Sequence, residues 1–143
     1  MAPLARYLFL AAIAATLWLG GNLVAMAGHD DEEPTNYIAP DQVKRLLDIE
    51  ENITFIDLRA TSEYGQGRLP KARSIPVTEM EKRWNEIPRV GRVILYCPCP
   101  MGARDESFAF LLLFTQHYRN VSVLDGGYPE WVKRGYPVQT GSP

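Results

Sequence analysis

The chemistry in this chain gathers in one short stretch, "VILYCPCPMGARDES" at positions 93–107, which holds both of its cysteines, Cys97 and Cys99. Two thiols can form a disulfide, hold a soft metal ion or act as nucleophiles. A disulfide between residues two apart closes a tiny loop, so it gains almost no chain entropy, and its geometry is strained. A thiol pair can take one soft ion such as Cu(I), but no further sulfur or histidine lies adjacent. Nucleophilic or redox chemistry fits better. From Cys99 to Arg104 the spacing is Cys-x4-Arg, with Gly102 between them. Glycine permits a tight turn, and a guanidinium is a fixed positive charge able to hold an oxyanion or a sulfur anion.

The elements around this stretch decide whether such chemistry is possible. Arg92–Tyr96 is a continuous apolar run, as a central parallel strand would be. Asp105–His117 reads as a strongly apolar helix. A strand–loop–helix junction points backbone N–H groups inward, and the helix start adds a positive dipole end. That setting favours a thiolate. The rest of the chain repeats the alternation. Helices are expected at Asp41–Ile49, from Thr61, over Thr78–Glu86 and over Tyr128–Arg134, with Gly135 as the last one's C-cap. Strands are expected at Thr54–Leu58, Ser74–Val77 and Val121–Leu124. Strands alternating with helices imply an α/β fold with a parallel sheet, whose reactive loops lie beyond the strands' C-terminal ends.

The ends read differently from the middle. Met1–Tyr7 carries one charge, Arg6; Leu8–Leu19 is an apolar run; Ala25-Met26-Ala27 is a small-x-small site. This is the pattern of a secretory signal peptide over 1–27, cleaved after Ala27, which places the product in the periplasm or outside the cell. The alternative is an uncleaved membrane anchor, since Leu8–Ala27 is long enough to span a bilayer. Residues 28–36 form an acidic tail, including His29-Asp30-Asp31-Glu32-Glu33, and read as solvated chain. Residues 139–143 are a short C-terminal tail. The net charge of −2 and the scattered basic residues exclude a nucleic-acid surface.

Three separate stretches resemble the single-domain rhodanese (sulfurtransferase) family. "FIDLRATSEYGQGRLPKARSIP" at 55–76 is similar to its Asp-x-Arg turn and Gly-x-x-Pro-x-Ala run. The cysteine loop is similar to its active-site loop, and "VLDGGYPEWVKRGYPV" at 123–138 to its closing signature. The resemblance covers Tyr37 to Val138. It implies a domain over 37–138 with three layers, a central mostly parallel sheet flanked by helices. It also implies that a loop cysteine takes a sulfane sulfur from a donor, thiosulfate or a thiol-bound sulfur, and passes it through a persulfide to a thiol or to cyanide. The partners are then a small donor and a thiol acceptor, and neither metal nor organic cofactor is needed.

Which cysteine reacts stays open between two frames. In the family the nucleophile usually follows the strand's last aromatic at once, which selects Cys97; the Cys-x4-Arg spacing selects Cys99. Counted from Cys97 the loop contains two prolines, Pro98 and Pro100, and loses two N–H donors; counted from Cys99 it loses one. Cys99 is the favoured nucleophile, with Cys97 as alternative or as resolving thiol. Met101, Gly102, Ala103, Arg104 and Asp105 then form the binding loop. Asp105 is a good helix N-cap, but its charge, with Glu106, faces the anion site and disfavours a thiosulfate dianion. Asp57 and Arg59 match the family's Asp-x-Arg pair and read as an ion pair supporting the loop. Arg68 stands where the family often has histidine and reads as a surface arginine or a source of positive potential. Two further functions fit the same residues: a Cys97/Cys99 dithiol–disulfide module, and a rhodanese-like fold kept for binding without catalysis.

Overall fold

Apolar side chains run almost continuously along the central strands, so each strand must bury both of its faces. In the computed structural model, which describes residues 36–97 and 104–141 (Arg104 and Asp105 by backbone alone), those strands form one sheet. The leader expected over 1–27, most of the acidic tail and the last two residues lie outside the described residues. The elements are β1 (Tyr37–Ile38), α1 (Pro40–Asp48), β2 (Ile53–Asp57), α2 (Thr61–Gln66), β3 (Arg73–Ser74), α3 (Met80–Arg83), β4 (Arg92–Tyr96), α4 (Arg104–Thr115), β5 (Val121–Leu124) and α5 (Gly127–Lys133). The sheet order is β1-β5-β4-β2-β3, and every pairing is parallel. The fold is therefore the expected three-layer α/β arrangement.

The two faces of the sheet carry two separate cores. On one face Ile56, Val93, Leu95, Cys97, Val121 and Val123 pack with Met80, Ile87, Tyr118 and the α4 residues Ala109 and Leu113. On the other, Phe55, Ile94, Tyr96 and Leu124 pack with Val43 of α1, Tyr64 of α2 and Trp131 of α5. This division follows from the two-residue period of a strand. Trp131 has no exposed surface, and its indole N–H donates to Pro137 O at 2.9 Å.

Three sequence expectations shift in the structure. β1 was not expected: two residues give no periodicity, and the strand forms because Tyr37 and Ile38 align with Val123 and Leu124. The strand expected over Ser74–Val77 is Arg73–Ser74, since Pro76 has no N–H to continue the ladder. The helix expected over Thr78–Glu86 is a four-residue α-helical core between two 3-10 turns, Val77–Glu79 and Trp84–Glu86. Short elements tighten into 3-10 geometry at their ends, yet Met80 is buried as its spacing required.

α5 is fixed to the end of β4 by two left-handed glycines, Gly126 (φ 68°) and Gly127 (φ 55°). A Cβ on Gly127 would stand 2.2 Å from the Cys97 carbonyl oxygen. That close approach lets the Tyr128 N–H donate to the same oxygen at 3.0 Å. Gly127→Ala is expected to lower stability by more than about 2 kcal/mol, through the clash and the positive φ together. A urea titration of parent and variant measures it.

Candidate active site

The site is built on the C-terminal edge of the sheet, where β2 and β4 end side by side with Asp57 opposite Tyr96. Asp57 has no exposed surface, and it is satisfied three ways. Arg59 donates from Nε to Oδ1 at 2.9 Å and from Nη2 to Oδ2 at 2.6 Å. The Arg59 backbone N–H donates to Oδ1 at 3.0 Å, and the Tyr96 hydroxyl donates to Oδ2 at 2.6 Å. Arg59 is itself buried, its guanidinium 3.8 Å from the Tyr128 ring centre, with Nη2 donating to Gly67 O at 2.5 Å. Burial works against the Arg59 charge, but the Asp57 carboxylate outweighs it and raises the guanidinium's pKa. Burial, and then the charge of Asp57, push the Tyr96 hydroxyl's pKa well up. The group is a charge-paired, hydrogen-bonded bracket that ties the ends of β2 and β4 to α5.

The Tyr96 and Tyr128 rings stack with centres 6.3 Å apart. A Cβ on Gly67 would lie 2.3 Å from the Tyr128 hydroxyl oxygen, so Gly67 leaves room for that ring. These aromatic and glycine roles were missed by sequence reasoning. The signal was present in Tyr96, a polar-tipped residue ending an apolar strand.

Arg68 belongs elsewhere. It is 9% exposed rather than a surface residue, with its guanidinium 4.5 Å from the Tyr64 ring centre and Nη1 donating to Gly141 O at 2.8 Å. Its backbone exchanges two hydrogen bonds with Gln139. It holds the C-terminal segment against α2, and that is why the side chain is enclosed.

Cys97 follows β4 directly and is 1% exposed. Its thiol donates to Glu106 Oε1 at 3.0 Å, and Glu106 is 2% exposed. The sequence pointed Glu106 at the anion site from the first turn of α4, and in the structure its carboxylate lies beside the Cys97 sulfur. Tyr37 and Asp125 complete this corner: burial raises the Tyr37 hydroxyl's pKa, and Glu106, Asp125 and Cys97 raise it further. The remaining loop positions, among them Cys99, Met101, Gly102 and Ala103, lie outside the described residues. They connect Cys97 to the N-terminus of the 12-residue α4, whose first N–H groups point back toward the residues before it. Among the described residues, no group of three or more His, Cys, Asp or Glu side chains is placed to hold a metal ion.

Comparison with known proteins agrees with this architecture. Residues 39–134 match the family model described as a Rhodanese-like domain. A curated sulfurtransferase of Allochromatium vinosum is 32% identical over 103 residues, covering 72% of this chain and 94% of that protein. Among solved structures, a thiosulfate sulfurtransferase of Pseudomonas aeruginosa superposes with TM-score 0.64 at 26% identity, covering 76% of this chain but 21% of that larger one. The Alr3790 protein of Anabaena superposes with TM-score 0.63 at 23% identity, covering 74% of this chain and 94% of that one, a likeness of fold alone.

Proposed function

Because this chain belongs to the rhodanese-like sulfurtransferase family, we propose that it moves a sulfane sulfur from a donor to a thiol acceptor through a persulfide on Cys99. The Cys99 thiolate attacks the donor's outer sulfur. A new S–S bond forms as the donor's own S–S bond breaks, and the leaving group departs with the electron pair. An acceptor thiolate, or cyanide in an assay, then attacks the outer sulfur of the persulfide and returns the Cys99 thiolate. Arg104 and the N–H groups of Met101, Gly102 and Ala103 are the candidates to hold the anion.

The observation that carries the assignment to Cys99 is the enclosure of Cys97, a thiol 1% exposed and bonded to a carboxylate. A nucleophile must reach its donor as a thiolate, and a buried thiol bonded to Glu106 is poorly suited to do so. The spacing from Cys99 to Arg104 supports the same choice.

The acidic surroundings suggest the donor. Glu106 and Asp125 lie by the Cys97 root of the loop, and Asp105 adds a charge in the sequence. Like charges repel a thiosulfate dianion more than a singly charged, thiol-bound sulfane sulfur. The kcat/KM for a small organic persulfide is expected to exceed that for thiosulfate by at least about tenfold at low ionic strength, and the gap to narrow as salt screens it. Steady-state assays with both donors across a salt series test this. Faster turnover of thiosulfate at every ionic strength would remove the thiol-bound donor from the account.

A further inference from the structure

We infer that Glu106 is a positioning residue that keeps Cys97 protonated, so that Cys97 takes no part in thiolate chemistry. The Cys97 sulfur and Glu106 Oε1 are 3.0 Å apart, and both side chains are almost wholly enclosed, at 1% and 2% exposure. A carboxylate accepts hydrogen bonds and cannot donate one, so this contact uses the thiol proton. Removing that proton would leave two negative charges in contact in a site shielded from water, where their repulsion is strong. Burial acts in the same direction, because it too disfavours the charged thiolate.

Two acidic side chains that face this pair act in the same direction, and the N-terminus of α4 acts against them. Tyr37 comes from β1 and Asp125 from the end of β5, and both interact electrostatically in this corner. Neither a phenol nor a carboxyl group can bring a positive charge to this corner, so neither would stabilise a thiolate. The Cys97 main chain is held as well: its carbonyl accepts from Tyr128 N–H at 3.0 Å, which fixes the sulfur's position against α4.

This arrangement solves a problem that two nearby thiols create. If both ionised, a sulfur bound at one could pass to the other, or the second thiolate could attack the inner sulfur of the persulfide, forming a disulfide as hydrosulfide leaves with the electron pair. A thiol held by Glu106 takes no part. Protonation of Cys97 follows first from its contact with Glu106 and its burial; the benefit to sulfur transfer rests on the function proposed above.

The test therefore uses no sulfur donor. In Cys99→Ser, Cys97 is the chain's only thiol, and its ultraviolet thiolate absorbance can be titrated against Cys97→Ser/Cys99→Ser as a blank. The signal requires no reagent to enter the core. Thiolate should appear only above the ordinary cysteine range, whose centre is about 8.5. Adding Glu106→Gln removes the charge but keeps the shape, and should raise the thiolate fraction at a given pH by about tenfold or more. Glu106→Asp should stay near the parent, a rescue that loss of packing alone would not give. Titration of Cys99→Ser at or below the ordinary range would overturn the inference, whether or not the Glu106 variants fold. So would a Glu106→Gln titration that matches the parent. Failure of sulfur transfer in separate assays would leave this result untouched.

Discussion

Cys99→Ser is expected to lose sulfur transfer by at least about 10³-fold in kcat/KM, as removal of a covalent nucleophile does. Cys97→Ser should stay within a few-fold of the parent. The asymmetry has a structural origin. Cys97 is enclosed between β4 and α4, and its thiol is committed to Glu106; serine in its place still offers an O–H to that carboxylate. Cys99 is two residues further along, at the Cys-x4-Arg spacing that resembles the family's active-site loop. Parallel measurement of both single variants, with a persulfide donor and a thiol acceptor, decides between the frames. A loss confined to Cys97→Ser would move the nucleophile to the strand end.

Asp57→Ala is expected to lower folding stability by about 3–5 kcal/mol, the usual penalty for stripping one partner from a buried ion pair. Arg59 would keep its charge with no carboxylate to meet it, and the Tyr96 hydroxyl would lose its acceptor. Replacing both members together, as in Asp57→Leu/Arg59→Met, should be much less damaging, because no uncompensated charge then remains. Urea unfolding of the two variants and the parent measures the difference. If the single and double variants were equally destabilised, the pair would matter for its shape rather than its charge. The variant also bears on function: Asp57 lies opposite Tyr96, one residue before the loop begins.

Most of the fold was legible because the strong signals are periodic. Arg92–Tyr96 and Val121–Leu124 read as buried parallel strands and pair with each other in the sheet. Weaker signals failed for physical reasons. The two residues of β1 have no period of their own and take their conformation from β5. Arg68 looked like a surface side chain because nothing local reports that Gly141 and Gln139 return to cover it. Helix α4 is apolar on nearly every side, so its sequence could not say which stripe faces the core; Ala109 and Leu113 do, while Phe108, Leu111 and Phe114 stay exposed.

At the site, the Asp57–Arg59 pair was visible through its likeness to the family's Asp-x-Arg turn. The Glu106 contact was half visible. Its charge was read as facing the anion site, but its burial against the Cys97 sulfur was not, because a carboxylate in the first turn of a helix ordinarily faces solvent or the helix's own N–H groups. Only the packing of α4 on the β4 face that carries Cys97 turns it inward.

The central claim is that one cysteine carries the transferred sulfur, and that it is Cys99. Intact-mass spectrometry tests it most directly. The reduced protein, Cys97→Ser and Cys99→Ser are each incubated with a persulfide donor, and separately with thiosulfate, then weighed without added acceptor. The parent and Cys97→Ser should each gain the mass of one sulfur atom, removed again by dithiothreitol, and Cys99→Ser should gain none. A gain that persists in Cys99→Ser and vanishes in Cys97→Ser, or no gain in any form with either donor, would contradict it.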